Sequence, residues 1–123
     1  MDTNKHAMTP TELFAYWIKT LQLRDWNIKL LTDCKPTDFI SDPTNVGECC
    51  YNEYLKEATV RILSEDCYNG DDYNFEKTLI HELLHIKFAL IDDSGNKLQD
   101  RLVHVLIEDM AKALSEARND VNT

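Results

Sequence analysis

Apolar residues Leu13, Phe14, Trp17, Ile18 and Leu21 recur at three- and four-residue spacing, which predicts an amphipathic helix running to about Leu23. Its start is marked by Thr9-Pro10-Thr11-Glu12. Thr9 and Glu12 stand at the offsets of a capping box, and Pro10 takes the first helical position, where a missing N–H costs nothing. Met8 and Leu13 can close a hydrophobic staple over that turn. Next, Trp26-Asn27-Ile28-Lys29-Leu30 alternates apolar and polar residues, the period of a half-buried strand, and turn formers around Pro36 and Asp42-Pro43 end it. Residues 48–55 and 58–63 flank Lys56-Glu57, and the β-branched Val60 and Ile62 suit a hairpin of two strands. The polar run Asn69-Gly70-Asp71-Asp72 precedes a helix over residues 74–91, and Asp92-Asp93-Ser94-Gly95-Asn96 separates it from a last helix ending near Arg118. The order helix, strand, hairpin, helix, helix is that of an α+β protein.

The segment 74–91 is apolar nearly all round: Leu79, Ile80, Leu83, Leu84, Ile86, Phe88, Leu90 and Ile91 leave it no wide polar face, as expected of a helix buried in the core. Within it stands His81-Glu82-Leu83-Leu84-His85. Histidines four residues apart lie one turn apart on one helical face, so their rings can converge on one tetrahedral ion. Glu82, about 100° around the helix, is kept off the ion but near the position left for water, where it can act as general base. Two hydrogen-bonded core histidines are the plainer reading of the five letters. Burying polar groups without partners costs on the order of 1–3 kcal/mol each, however, and a metal removes that difficulty. The segment is therefore expected to bind a divalent metal, zinc before others.

A third protein ligand is needed, and the last helix offers His104 and Glu108, four apart on one face. At 100° per residue its apolar arc runs from Leu102 through Leu106, Met110, Val103, Leu114 and Ile107 to Ala111. His104 falls at the edge of that arc and Glu108 further out. This favours His104 as ligand, with Glu108 accepting the free ring N–H of a metal-bound histidine.

Composition narrows the picture further. The chain has 123 residues, 43% apolar and 28% charged, which fits one domain over residues 1–123 with the first eight as a tail; His6 in that tail has no expected role. No apolar run is long enough to span a bilayer, and the N-terminus has neither a secretory nor a transit pattern, so cytoplasmic location is expected. Cys34, Cys49, Cys50 and Cys67 include no Cys-x-x-Cys pair and are expected as reduced thiols rather than disulfides or a second metal site. A net charge of −9 and the lack of a Lys/Arg stripe speak against nucleic acid as a partner. Solubility is the simple reading of that acidity, and attraction of basic peptides the functional one.

The order of elements, the run Thr78-Leu79-Ile80-His81-Glu82-Leu83-Leu84-His85 and a following helix ending Ile107-Glu108-Asp109-Met110-Ala111-Lys112-Ala113-Leu114 resemble the zincin metallopeptidases. The resemblance covers about residues 10–118 and is to the small gluzincin-like proteins of phages and mobile elements, and more distantly to the ImmA/IrrE family of repressor-cleaving proteases. In gluzincins the helix after the motif usually supplies a glutamate ligand, often followed four residues later by an acid touching the first motif histidine. Matched so, His104 takes the ligand position and Glu108 the acidic one; histidine stands where glutamate is usual, and Glu108 itself is the alternative third ligand. The resemblance implies a three- or four-stranded, mainly antiparallel sheet packed on the motif helix, with strand 58–63 holding an extended peptide by edge pairing. It implies an oxyanion stabiliser, for which Tyr51, Tyr54, Tyr68 and Tyr73 are candidates. The expected activity is peptide-bond hydrolysis by a zinc-activated water, with His81, His85 and His104 as ligands and Glu82 as base and then acid. The alternative is a zinc-stabilised, catalytically silent module that binds a protein partner.

Overall fold

The computed structural model describes residues 7–92 and 94–121; His6 and the rest of the expected tail before Ala7 lie outside the described residues. Six main elements follow one another: α1 (Pro10–Thr20), β1 (Asn27–Cys34), β2 (Gly47–Asn52), β3 (Glu57–Leu63), α2 (Phe75–Lys87) and α3 (Lys97–Val121). The architecture is α+β, as the sequence pattern predicts.

Both ends of α1 are set by local chemistry. The Thr9 hydroxyl accepts from the Glu12 N–H at 3.1 Å, and Glu12 Oε1 accepts from the Thr9 N–H at 2.8 Å, the reciprocal pair of a capping box. Met8, placed in the tail by composition, packs against the core. The helix ends at Thr20, short of Leu23, because Gln22 turns left-handed (φ 58°) and the Leu23 N–H bonds back to the Ile18 carbonyl at 2.9 Å, a Schellman closure. Leu13, Trp17 and Leu23 are buried by this arrangement.

The three strands lie in the order β1-β3-β2. β2 and β3 form the expected antiparallel hairpin, from Gly47↔Ile62 to Asn52↔Glu57. Its turn is held by the Asn52 side chain, which accepts from the N–H groups of Tyr54 and Leu55, and by Lys56 at φ 53°. β1, in contrast, pairs with β3 in parallel, from Asn27↔Glu57 to Leu31↔Arg61. The sheet is therefore mixed rather than mainly antiparallel. β3 occupies its centre with both sides paired, so residues 58–63 cannot hold a peptide by edge pairing; the exposed edge beside α2 belongs to β2. The reason lies in burial: Ala58, Val60, Ile62 and Leu63 are all buried, the composition of a central strand.

α2 is the middle of the molecule, packed by α1, α3, β2 and β3. Leu79, Ile80, Leu83, Leu84 and Ile86 are all buried on it, which explains an apolar pattern without a polar face. The helix stops at Lys87 instead of Ile91. Phe88 caps it, and the Asp92 N–H bonds to the Phe88 carbonyl at 2.8 Å, so the chain curls back at once. Leu90, read from the pattern as core, is 93% exposed on this turn. On α3 the buried residues are Val103, Ile107, Ala111 and Ser115, while Leu102 and Leu106, at one end of the predicted arc, face solvent. No helix among the described residues is long and apolar enough to cross a membrane.

Glu76, buried in the first turn of α2, ties three helices together. It accepts from Trp17 Nε1 of α1 at 2.8 Å, from both Nε and Nη2 of Arg118 on α3, and from Asn119 Nδ2 at 3.2 Å. Burial works to raise its pKa, but the hydrogen bonds from Arg118, Trp17 and Asn119 outweigh it and hold the carboxyl below the usual glutamate range. Glu76→Gln leaves the partly buried Arg118 without its charged partner, so it should cost about 1–3 kcal/mol in urea denaturation at pH 7. The sign with pH follows from the lowered value. The stabilisation is complete above the unfolded glutamate pKa of about 4.3 and is lost as pH falls through the lower folded value. The difference between the parent protein and the variant should therefore shrink in that acid window; a difference constant down to pH 2 would show that ionised Glu76 is not what the network requires.

Candidate metal centre

The side chains of His81, His85 and His104 converge, and one ring nitrogen from each lies within 4.8 Å of the others, close enough to bind one metal ion. α2 supplies two of them at a one-turn offset, and α3, packed against α2, brings the third. Nε2 of His81 and Nε2 of His85 are 3.3 Å apart. Nitrogens bound tetrahedrally to zinc at 2.0–2.1 Å stand about 3.3 to 3.4 Å from each other, so this spacing is an edge of such a tetrahedron. The ring of His104 sits 5.2 Å from that of His81 and 6.0 Å from that of His85, centre to centre.

The opposite ring nitrogens fix which atoms face inward. His81 Nδ1 lies 2.8 Å from Glu108 Oε1, and His85 Nδ1 lies 2.9 Å from Asp92 Oδ2. A carboxylate beside Nδ1 holds the proton there, which leaves each Nε2 lone pair pointing at the other. Two lone pairs facing at this distance repel unless a cation lies between them. Burial, and the nearby His85 and His104 rings, hold the pKa of His81 below the usual histidine value against the upward pull of Glu108, so this ring is neutral at neutral pH and ready to ligate.

Glu108 thus stands where the wheel of the last helix put it, as hydrogen-bond partner of His81. Burial opposes its ionisation, but the hydrogen bond from His81 and the Lys77 ammonium 3.2 Å away outweigh that and lower its pKa. In the sequence pattern Asp92 marks only a break between helices. The turn after α2 brings it back beside His85, and the Tyr51 hydroxyl of β2 donates to the same Oδ2 at 3.0 Å. Its sequence signal was its place two turns after His85, but only the curl at Phe88 makes that spacing a contact.

Glu82 lines, together with His81, His85 and His104, a cleft of about 960 Å³ between β2, the chain before α2, α2 and α3. It is 7% exposed and has no hydrogen-bond partner among the described residues. Burial first, then the carboxylates of Glu48, Asp92 and Glu108, push its pKa up to about 8. Gly47, which the sequence pattern did not single out, opens β2 directly over it. A Cβ at Gly47 would lie 2.7 Å from Thr78 Cγ2 and 2.8 Å from Glu82 Oε2, so no side chain fits there without displacing Glu82.

Glu48, next on β2 and turned to the other face, anchors the loop before the strand. It accepts from the N–H groups of Ile40 and Ser41 and from the Ser41 hydroxyl at 2.7–3.1 Å, and pairs with Arg61 at 3.4 Å. Of the tyrosines, Tyr51, Tyr68 and Tyr73 line the cleft, while Tyr54 is 89% exposed on the hairpin turn and outside it. The three cleft hydroxyls are engaged, with Asp92, Asp72 and the Leu63 carbonyl respectively. All four cysteines are free thiols, and none joins the histidine cluster. No family model matches the chain, and neither a curated protein nor a solved structure matches it.

Proposed function

We propose that the protein is a zinc-dependent peptidase of the zincin type, with His81, His85 and His104 as ligands and Glu82 as the general base. The observation that carries this reading is the buried, unpartnered Glu82 carboxylate beside three converging histidines in an open cleft. A site serving only to staple the fold has no use for an acid that opens on the cleft without a protein partner while its surroundings oppose its ionisation. The donor set, three neutral imidazoles with carboxylates behind two of them, suits zinc and leaves a fourth position open. Zinc, when bound, supplies Lewis acidity for the scissile carbonyl and for water.

The chain's own residues do the rest. In its ionised form Glu82 takes a proton from the attacking water; the water oxygen adds to the amide carbon, the C–N bond breaks, and Glu82 returns the proton to the leaving nitrogen. Glu108 and Asp92 keep the His81 and His85 rings in the tautomer that ligates. Tyr51, by donating to Asp92, fixes that carboxylate in turn. The edge of β2 along the cleft offers unpaired backbone groups to an extended substrate.

The test is direct: the purified chain should carry one equivalent of zinc by elemental analysis and cleave an unstructured polypeptide, losing activity to a chelator and regaining it with zinc. One equivalent of zinc without cleavage of any polypeptide would favour the silent binding module instead. A second expectation arises from the crowding over the base. Gly47→Ala should lower kcat by about 10- to 100-fold, since a displacement on the order of 1 Å at a reacting group has that effect, with zinc content unchanged. Full activity in that variant would mean that Glu82 does not act from the position seen here.

A further inference from the structure

The carboxylates lining the cleft divide into those that other groups hold and those that nothing neutralises. Glu108 is held by His81 and Lys77, Asp92 by His85 and Tyr51, and Glu48 by Arg61 and the N–H groups of Ile40 and Ser41. Lys77, the only lysine or arginine lining the cleft among the described residues, is spent on Glu108. Two acids remain. Glu53, the first residue beyond β2, has no hydrogen bond or ion pair among the described residues, and Asp72, just before α2, accepts only from the neutral Tyr68 hydroxyl at 2.7 Å.

These two sit at opposite ends. Gly47 opens β2 against Thr78 and Glu82, and Tyr51 near its end reaches Asp92 beyond the end of α2, so strand and helix run the same way along the cleft. Asp72 flanks the end where α2 begins, and Glu53 the end where β2 stops. Between them lies one strand of six residues, roughly 20 Å at about 3.3 Å per residue, the length of an extended peptide of similar size. Under Gly47, at the start of that strand, the unpartnered Glu82 carboxyl lines the same space.

We propose that the cleft takes extended peptides bearing lysine or arginine on both sides of the central bond, one cation toward Asp72 and the other toward Glu53. As a statement about which bond is cut it rests on the peptidase reading; as a statement about what binds it does not. The net charge of −9 adds long-range attraction of the same sign. An acidic peptide, in contrast, meets these carboxylates and, among the described residues, no free lysine or arginine in the cleft.

The experiment uses the full chain loaded with zinc and fluorescent octapeptides of one neutral central sequence, carrying lysine, glutamine or glutamate near both ends. Binding is read by anisotropy on the Glu82→Gln protein, which leaves peptides intact, and cleavage on the unaltered protein. The lysine peptide should bind about tenfold more tightly than the glutamine one, and less so at high salt. Glu53→Gln and Asp72→Asn should each reduce that preference by about two- to fivefold, and the double variant should abolish it. Equal binding of lysine and glutamine peptides, no binding of the lysine peptide, or a preference that survives the double substitution overturns the proposal. Selective lysine binding without cleavage keeps it and removes the peptidase reading, whereas cleavage with no preference for lysine does the reverse.

Discussion

Replacing Glu82 by glutamine should abolish peptide hydrolysis while leaving zinc content at one equivalent. The amide keeps the size of the carboxyl, so the packing under Gly47 and Thr78 is preserved. It cannot take a proton from water, and loss of a positioned general base lowers kcat by about 10²- to 10⁴-fold. The side chain is not within the histidine cluster, so the ligands remain. Measuring turnover of a fluorogenic peptide beside elemental analysis of the same sample separates the possibilities. A variant that still hydrolyses at the parent rate would remove Glu82 from the chemistry. One that loses both activity and zinc would make Glu82 part of the metal's hold. A biological effect that survives in an inactive, zinc-loaded variant would point to the silent module.

The second large effect concerns the third ligand. His104→Ala takes away one of three nitrogens, whereas Glu108→Ala removes only the acceptor behind His81. Loss of a residue behind a ligand typically weakens metal binding by about 10- to 100-fold, and loss of a ligand should exceed that. Competition with a chromophoric chelator should therefore rank His104→Ala below Glu108→Ala in zinc affinity. The opposite ranking would mean that Glu108 is the ligand, as the glutamate usual in gluzincins suggests. Both positions are exposed on α3, so neither variant is expected to disturb the fold, and circular dichroism should show this.

What could be read from the sequence shares a physical property: it depends on residues near one another along the chain. The capping box at Thr9 and Glu12, the one-turn pair His81 and His85, and the one-turn pair His104 and Glu108 are each set by helical geometry alone. The buried character of α2 was legible for the same reason. Where the chain's return path decides, the pattern was silent. Whether β1 runs parallel or antiparallel to β3, and hence which strand is an edge, follows from how the hairpin lies against β1. Asp92 reaches His85 only through the curl after Phe88, and Glu76 meets Arg118 only once α3 has packed along α2. The α3 arc was half right because apolar residues outnumber the places to bury them: Leu102 and Leu106 satisfy the periodicity yet face solvent.

α3 carries His104 and Glu108 in its first half and, in its last turn, the Arg118 that closes on Glu76. The third nitrogen is therefore delivered by a later helix than the other two, and its delivery is secured by a clasp further along that helix. During synthesis a ribosome-bound chain presents only two of the three histidines until α3 has emerged. The three-nitrogen cluster is in this sense latent in the growing polypeptide, assembled only when α3 docks on α2.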